Sequence, residues 1–253
     1  VSNTYADEIK TPFYGEGLDG LLRARSNSLR GIVNGIDYND FNPETDINLS
    51  ARYNATTFRK EKVKNKIQLQ KDLGLEQDPK AMMIGIVSRL TDQKGFDLIA
   101  YIMDELCQDS VQIVALGTGD ERYENMFRHF DWKYHGKVSA QIYYDESMSH
   151  RIYAASDAFL MPSLFEPCGL SQLMSLRYGT VPIVRETGGL KDTVIPYNEY
   201  TKEGTGFSFA NYNAHEMLAT IRYALSVFYQ HKNDWDILIK HGMSQDFSWN
   251  QYR

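Results

Sequence analysis

The residues best suited to chemistry lie in the stretch 163–172, which reads Ser-Leu-Phe-Glu-Pro-Cys-Gly-Leu-Ser-Gln. A short apolar run before it is typical of a buried strand, and apolar residues after it recur at helical spacing. Glu166 is therefore predicted to lie in a turn between a strand and a helix. Gly169 lets backbone approach a ligand closely, Ser171 can serve the helix start, and such a start binds anions. This combination suits a ligand with a hydroxyl-rich part and a phosphate part, although a solvated glutamate in an ordinary connection is the alternative.

Other loops add groups that suit the same kind of ligand. Arg89 and Lys94 stand just ahead of a predicted helix start and could together hold a pyrophosphate, the arginine as a planar fork and the lysine as a point charge. Thr187, Gly188 and Gly189 open another helix and would supply bare N–H donors. The alternative for each is an ordinary exposed loop.

Three further features bear on cofactors. Of the adjacent Tyr143 and Tyr144, one is expected to face outward, where its ring could stack on a base or be a plain surface residue. The Gly117–Gly119 segment begins like a dinucleotide fingerprint but has Arg122 where a third glycine is needed, so we interpret it as a tight turn. The six histidines show no metal-ligand spacing, and neither a metal nor a cofactor is predicted.

The composition bounds the class of protein. In 253 residues, 42% are hydrophobic and 24% charged, which is ordinary for a globular protein, and the net charge of -6 argues against a nucleic-acid partner. Two distant cysteines cannot staple a chain of this size, so a reducing cytoplasm is expected. We predict no signal peptide and no membrane span. The first residue, Val1, indicates an excised piece or a processed product.

Strands alternate with helices from residue 81 onward, and this predicts a parallel sheet with helices on both faces, a doubly wound α/β domain. Such domains bind ligands beyond the carboxyl ends of their strands. Residues 1–40 form a separate small unit with a weak helix at 17–22 and a strand at 31–37. The basic stretch 52–71 fits a nucleic-acid arm or a solvated helix face, and the acidic balance favours the helix. Predicted strands span 81–87, 111–116, 138–143, 158–161, 181–184 and 206–209; predicted helices span 96–106, 120–130, 147–155, 169–178, 190–194, 214–229 and 234–242.

Several motifs in order resemble bacterial glycogen synthases and plant starch synthases. They cover nearly the whole chain and read Asn-Gly-Ile-Asp at 34–37, Asn-Pro-Glu-Thr-Asp at 42–46, Ser-Arg-Leu-Thr-Asp-Gln-Lys-Gly at 88–95, Phe-Glu-Pro-Cys-Gly-Leu at 165–170, Arg-Tyr-Gly-Thr at 177–180 and Thr-Gly-Gly-Leu-Lys-Asp-Thr-Val at 187–194. Family members are metal-independent retaining glycosyltransferases of the GT-B fold, which has two Rossmann-like domains. They move glucose from ADP-glucose to the non-reducing end of an α-1,4-glucan.

The resemblance implies a domain division. Residues 1–40 would be a remnant of the first domain with the crossover, and 41–253 the C-terminal nucleotide-sugar-binding domain, with its closing helix cut off near the end. The Lys-Thr-Gly-Gly-Leu stretch and the histidine of the family's first domain have no match. The chain would bind nucleotide yet be inactive alone. Its location would be the cytoplasm of a bacterium or, in a plant, the plastid. The oligomeric state is not predicted.

The resemblance also implies site residues. Arg89 and Lys94 would neutralise the diphosphate leaving group, Glu166 would hold glucose hydroxyls, and Tyr144 would stack on adenine. The turn residues Cys168, Gly169, Leu170 and Ser171 would meet sugar and phosphate, and Thr187, Gly188 and Gly189 would line the same pocket.

Two alternatives remain. One is a GT-B transferase with another nucleotide-sugar donor; many of these carry a second glutamate on the helix after the turn, where this chain, like glycogen and starch synthases, has Met174 instead. The other is a non-catalytic nucleotide- or glucan-binding module. No residue is positioned to be a covalent nucleophile, so a front-face mechanism is the preferred hypothesis.

Overall fold

Six short strands form one parallel sheet. The computed structural model describes residues 1–252. The strands are β1 (Met82–Val87), β2 (Val111–Leu116), β3 (Val138–Gln141), β4 (Ala158–Met161), β5 (Val181–Arg185) and β6 (Phe207–Phe209). Neighbouring strands pair in the order β3-β2-β1-β4-β5-β6, and every pair is parallel. This confirms the predicted doubly wound α/β class.

Helices connect these strands. Each helix predicted after residue 81 is present, with ends that move by up to three residues, and the helix favoured for 52–71 begins at Phe58. Short 3-10 turns lie at Ser26–Ser28, Asp92–Lys94 and Trp249–Tyr252. The helices are α1 (Asn3–Glu8), α2 (Asp19–Ala24), α3 (Phe58–Asp72), α4 (Phe96–Leu106), α5 (Glu121–Lys133), α6 (Glu146–Ala155), α7 (Ser171–Arg177), α8 (Gly188–Thr193), α9 (Ala214–Gln230) and α10 (Lys232–Ser244).

Alternate residues of the central strands enter different layers of the core. Ile84 of β1 belongs to the large cluster that also contains side chains of α4 and α9, whereas its neighbour Met83 packs in a second cluster with Ile152 of α6 and Leu69 of α3. Because successive strand residues point to opposite faces, the sheet is covered on both. This is why the two central strands, β1 and β4, are apolar throughout and do not alternate.

The crevice for a ligand lies between β1 and β4. These strands are neighbours in the sheet but not in the chain. The connection after β1 leads to β2 on one side, and the connection after β4 leads to β5 on the other side. A doubly wound sheet opens at this switch point, beyond the carboxyl ends of the strands. The loops that follow Val87 and Met161 therefore form its two walls.

Two predicted strands need correction. The segment 31–37 is not a strand and forms only one isolated bridge, between Ile36 and Ser248, since no neighbouring strand runs beside it. The third strand ends at Gln141, two residues before the predicted end. Its partner β2 ends at Leu116, which pairs with Gln141, so the ladder has nothing to continue against.

The N-terminal segment contains a helix that the sequence did not indicate. Ser2 caps α1 by accepting a hydrogen bond from the N–H of Tyr5, and α1 packs against α8. The division at residue 40 stays a prediction. The predicted closing helix is represented by the 3-10 turn Trp249–Tyr252, and Arg253 lies outside the described residues.

The basic segment forms α3, as favoured from sequence, but its face is not simply solvated. Lys62 and Lys66 are only 7% and 4% exposed. Among the described residues, no helix combines the length and the apolarity needed to cross a membrane.

Candidate active site

Glu166 is a buried carboxylate on the β4 side of the crevice. It is 5% exposed, and its Oε2 accepts hydrogen bonds from Lys94 Nζ at 2.7 Å and from Ser163 Oγ at 3.0 Å. The alternative of a solvated glutamate is therefore wrong. Lys94 comes from the β1 side, so the ion pair spans the crevice. Two anchors on one oxygen fix the carboxylate in place and leave Oε1 for other partners.

Backbone contacts lock the two walls together. The N–H of Leu164 donates to the carbonyl of Gln93 at 2.9 Å, and Gln93 Nε2 donates to the carbonyl of Phe165 at 3.2 Å. Gly95 allows this approach, because it has φ of 79° and a Cβ there would lie 2.1 Å from the carbonyl oxygen of Pro162. The Gln-Lys-Gly sequence thus positions Lys94, because the residues on either side of it hold the loop against the segment 162–165.

The turn before α7 presents backbone to the cavity. Gly169 has φ of 73°, and Gln172 Nε2 donates to the carbonyls of Cys168 at 2.9 Å and Gly169 at 3.1 Å. The N-cap residue is Leu170, and no side chain caps the helix. Ser171, expected to serve the helix start, is the first residue of α7 but does not cap it. The first N–H groups of α7 are left without a side-chain acceptor, as an anion site requires.

Cys168 contacts the segment that crosses from the N-terminal residues. Its Sγ accepts from the N–H of Asn34 at 3.3 Å, and burial raises the pKa of the thiol. The buried thiol is thus a packing group, and the turn would meet a ligand through its backbone.

The loop before α8 packs behind the glutamate turn. A Cβ at Gly188 would lie 1.9 Å from the carbonyl oxygen of Glu166, and the N–H of Gly189 donates to that carbonyl at 2.9 Å. Glu8 Oε1 accepts from Thr187 Oγ1 at 2.9 Å and from the N–H of Gly188 at 3.0 Å. These donors already have protein acceptors, so the loop supports the turn from outside the crevice. Ligand contact by Thr187, Gly188 and Gly189 stays a prediction.

Two adjoining cavities occupy the carboxyl edge of the sheet. The larger, of about 580 Å³, is lined by Lys94, Glu166 and the turn Cys168–Ser171. The smaller, of about 370 Å³, is lined by Tyr143 and Tyr144. The two share a wall made of Val87, Ser88, Arg89, Leu170 and Ser171.

The second cavity is open and aromatic. Tyr144 is 87% exposed, which confirms that one of the two adjacent tyrosines faces outward, and Tyr143 is 39% exposed, so it does not face the core either. Both residues follow Gln141, the last residue of β3, so the rule that successive strand residues point to opposite faces does not apply to them. A flat ring at the rim can offer a stacking face without rearrangement.

Arg89 stands where the two cavities meet. It is exposed, and among residues 1–252 its guanidinium has no hydrogen-bond or ion-pair partner. The Gly117–Gly119 segment lies against this loop: a Cβ at Gly117 would lie 1.8 Å from the carbonyl oxygen of Ser88, and one at Gly119 would lie 2.3 Å from that of Leu90. Gly119 forms an isolated bridge with Leu90, and the interpretation of the segment as a tight turn stays a prediction.

A buried polar cluster supports the tyrosine loop from behind. His150 of α6 shares a hydrogen bond of 2.6 Å with Asp46, which also accepts from the hydroxyl of Tyr178. Burial alone would raise the pKa of Asp46, but these hydrogen bonds outweigh it and lower the pKa to about 2. The ionised carboxylate ties the segment after residue 40 to α6 and α7.

Sequence reasoning missed several supporting residues. Ser163 and Gln172 lay within the motif but were given no role, and Glu8 lay in a segment with no recognised element. Only the fold brings Glu8 to the loop before α8. Among the described residues, no three His, Cys, Asp or Glu side chains lie close enough together to hold a metal ion.

Comparison with known proteins agrees with this arrangement. The chain is 72% identical over 250 residues to a glycogen synthase from Lachnospira eligens and 58% identical over 251 residues to one from Clostridium acetobutylicum, covering 99% of this chain and 52% of each relative. The chain thus spans about half the length of the curated relatives it matches.

Solved structures match as well. The catalytic domain of starch synthase IV from Arabidopsis thaliana, bound to ADP and acarbose, superposes with a TM-score of 0.93 at 37% identity, covering 99% of this chain and 52% of that one. A UDP-glucose complex of Anabaena HepE shares only the fold, with a TM-score of 0.66 at 16% identity.

The resemblance to glycogen and starch synthases is thereby confirmed. Residues 67–235 match the family described as glycosyl transferases group 1. This span contains β1 to β6 and both walls of the crevice, and the chain belongs to that glycosyltransferase family.

Proposed function

We propose that this chain is the donor-binding half of a retaining glucosyltransferase of the glycogen and starch synthase type. In the complete protein it would transfer glucose from ADP-glucose to the non-reducing end of an α-1,4-glucan. The observation that carries the proposal is the pair of adjoining cavities, one holding the buried Glu166–Lys94 pair and the other rimmed by tyrosines, joined at Arg89.

The layout fits the parts of a nucleotide sugar. The base would stack on Tyr144, the diphosphate would lie between Arg89, Lys94 and the uncapped start of α7, and glucose would lie over Glu166. The relative with the ADP complex is 37% identical over nearly the whole chain, which favours an adenine nucleotide over other donors.

The chemistry follows from the charges. The bond between the anomeric carbon and the diphosphate oxygen breaks while a bond to the acceptor hydroxyl oxygen forms on the same face. Negative charge grows on the leaving oxygen, where Arg89 and Lys94 would stabilise it, and positive charge grows at the sugar carbon beside Glu166. The acceptor proton passes to the leaving phosphate.

Glucose incorporation by the full-length protein tests the proposal. Labelled ADP-glucose, UDP-glucose and GDP-glucose are compared with a maltooligosaccharide acceptor, and the new linkage is read by NMR. Incorporation from ADP-glucose with an α-1,4 product is expected. A clear preference for another donor, or no transfer from any donor, would overturn it.

The fragment itself offers a second test. Residues 1–253 alone should bind ADP in calorimetry but should not elongate glucan, because the opposite wall of the active site would be missing. Elongation by this fragment at about 1 per second or faster, a rate typical of enzymes, would contradict that expectation. We expect the complete protein in the cytoplasm.

A further inference from the structure

A second polar cavity lies at the opposite end of the same strands. It has a volume of about 490 Å³ and is bounded by α3, α10, the end of α9 and the segments that precede β1 and β4. The six residues of β1 separate it from the crevice, a distance of about 20 Å at 3.3 Å per residue. It is therefore distinct from the candidate active site.

The walls of this cavity are strongly cationic. The charged lining residues are Arg59, Lys62, Lys66, Lys80, Lys232, Asp157 and Asp236, five cations and two acids. In a chain with a net charge of -6, this local excess of positive charge is unusual. The two acids are already neutralised, because Lys66 pairs with Asp157 at 2.6 Å and Arg59 pairs with Asp236 at 2.5 Å.

Three cations in the cavity have no carboxylate partner among the described residues. Lys62 is 7% exposed, and its Nζ donates to the carbonyls of Tyr153 and Ala154 and to Thr180 Oγ1. Lys80 and Lys232 are exposed at the rim and make no hydrogen bond or ion pair through their ammonium groups.

The uncompensated charge has an energetic consequence. A buried ammonium without a counter-ion is unfavourable, and burial is the main reason that the pKa of Lys62 is lowered to about 7. Lys66 adds to this lowering and Asp157 opposes it. An anion in the cavity would relieve the penalty on Lys62.

Direct donors for such an anion are available around the rim. The ammonium groups of Lys80 and Lys232 make no hydrogen bond or ion pair with a described residue, although Lys232 Nζ lies 4.5 Å from the centre of the Phe228 ring. Arg59 uses only Nε for Asp236. No side chain caps α10, whose first residue is Lys232, so the first N–H groups of this 13-residue helix lack a side-chain acceptor. Ammonium, guanidinium and helix-start donors together are the usual partners of phosphate.

We propose that this cavity, between Lys62, Lys80 and Lys232, binds a small phosphate-bearing anion. Three of the aromatic lining residues, Phe58, Phe228 and Trp235, are at most 6% exposed and offer no face for stacking. The fourth, Tyr229, is 43% exposed, but its hydroxyl is held by the N–H of Met82 and the carbonyl of Ser110, so the cations are the main free groups in the cavity. The bound group is thus recognised through its charge. The proposal does not depend on which sugar donor the crevice takes.

The test uses the full-length protein and pyrophosphate as the probe, measured by isothermal titration calorimetry with inorganic phosphate as a second probe. The variant Lys80→Ala/Lys232→Ala removes the two ammonium groups at the rim. The matched control, Lys60→Ala/Lys71→Ala, removes two exposed lysines of α3 that do not line the cavity and has the same net charge. Arg89→Ala reports on any phosphate that binds in the crevice.

Two exposed charge contacts, each contributing roughly threefold to fivefold, predict binding in the cavity variant that is weaker by about 10-fold to 25-fold. The control should bind pyrophosphate as tightly as the parent protein does. Binding of pyrophosphate in this cavity should persist in Arg89→Ala. Equal weakening in both double variants would show that only overall charge matters and would overturn the proposal. Complete loss of binding in Arg89→Ala would also overturn it, because the probe would then occupy only the crevice. Matching thermal midpoints for the two double variants show that the substitutions leave the fold intact.

Discussion

Two buried lysine–carboxylate pairs link the β1 side of the sheet to the β4 side, one at each end. At the amino end, Lys66 pairs with Asp157 at 2.6 Å, with side chains 5% and 13% exposed. At the carboxyl end, Lys94 pairs with Glu166 at 2.7 Å, with side chains 17% and 6% exposed. In burial and distance the two pairs are nearly alike.

The two pairs differ in what else their atoms contact. Lys66 Nζ also donates to the carbonyls of Pro79 and Ala81, and Asp157 Oδ2 also accepts from the N–H of Met83 at 2.8 Å. All three ammonium hydrogens of Lys66 therefore have acceptors.

Lys94 Nζ has one acceptor, Glu166, within the part of the chain that the structure describes, and Glu166 Oε1 accepts from no described group. Both atoms border a cavity. A pair whose donors and acceptors are all used within the protein can serve the fold alone, whereas a pair with unused donors and acceptors at a cavity has groups available to a ligand.

Lys66→Ala would break the complete pair and is expected to have the largest effect. It leaves Asp157 buried beside two carbonyls that lose their donor, so the free energy of unfolding should fall by about 3–5 kcal/mol. Denaturant unfolding of the chain measures this. Lys71→Ala, an exposed lysine on the same helix, should change it by less than about 0.5 kcal/mol. If Lys66→Ala also lowered the free energy of unfolding by less than about 0.5 kcal/mol, the Lys66–Asp157 pair would not stabilise the fold.

Glu166→Gln tests the incomplete pair through catalysis. If the charge at the sugar carbon matters, turnover of the full-length protein should fall by about a thousandfold, nearly as much as in Glu166→Ala, with ADP affinity almost unchanged. If hydrogen bonding alone matters, the glutamine variant should be far more active than the alanine variant. Normal turnover in Glu166→Ala would exclude Glu166 from the active site.

Arg89→Ala and Lys94→Ala sharpen the contrast between the pairs. Each should lower turnover by about a hundredfold and weaken donor binding much less, because the leaving phosphate has more charge in the transition state. Steady-state kinetics separates the two parameters. Lys94→Ala should also destabilise the fold less than Lys66→Ala, since water in the cavity can solvate Glu166. Unchanged turnover in both variants would refute the assignment.

Tyr144→Ala should have the smallest effect. Loss of a stacked base should weaken ADP binding by roughly 1–3 kcal/mol, and Tyr144→Phe should restore most of it because stacking needs only the ring. Calorimetry of the three proteins measures the difference. Retained ADP affinity in the alanine variant would make Tyr144 a surface residue.

The alternation of strand-like and helix-like hydrophobic patterns along the sequence was sufficient to predict the fold class. A continuous apolar segment such as Met82–Val87 is typical of a strand buried on both faces of a sheet, and the intervening amphipathic segments supply the cover. The positions of Arg89, Lys94 and Glu166 after strands also followed, since parallel strands end at one edge. These are local signals, which neighbouring residues in the chain are enough to produce.

The partners of those residues were decided by the tertiary structure. That Lys94 pairs with Glu166 depends on β1 and β4 being neighbours, and on Gly95 allowing one loop to approach Pro162. Lys62 and Lys66 are buried although lysine usually lies at the surface. Their burial is possible because their ammonium groups donate hydrogen bonds to backbone carbonyls, those of Tyr153 and Ala154 for Lys62 and those of Pro79 and Ala81 for Lys66. A sequence pattern reports which residues prefer water, but only the packed chain determines which buried polar groups find partners and which are left open for a ligand.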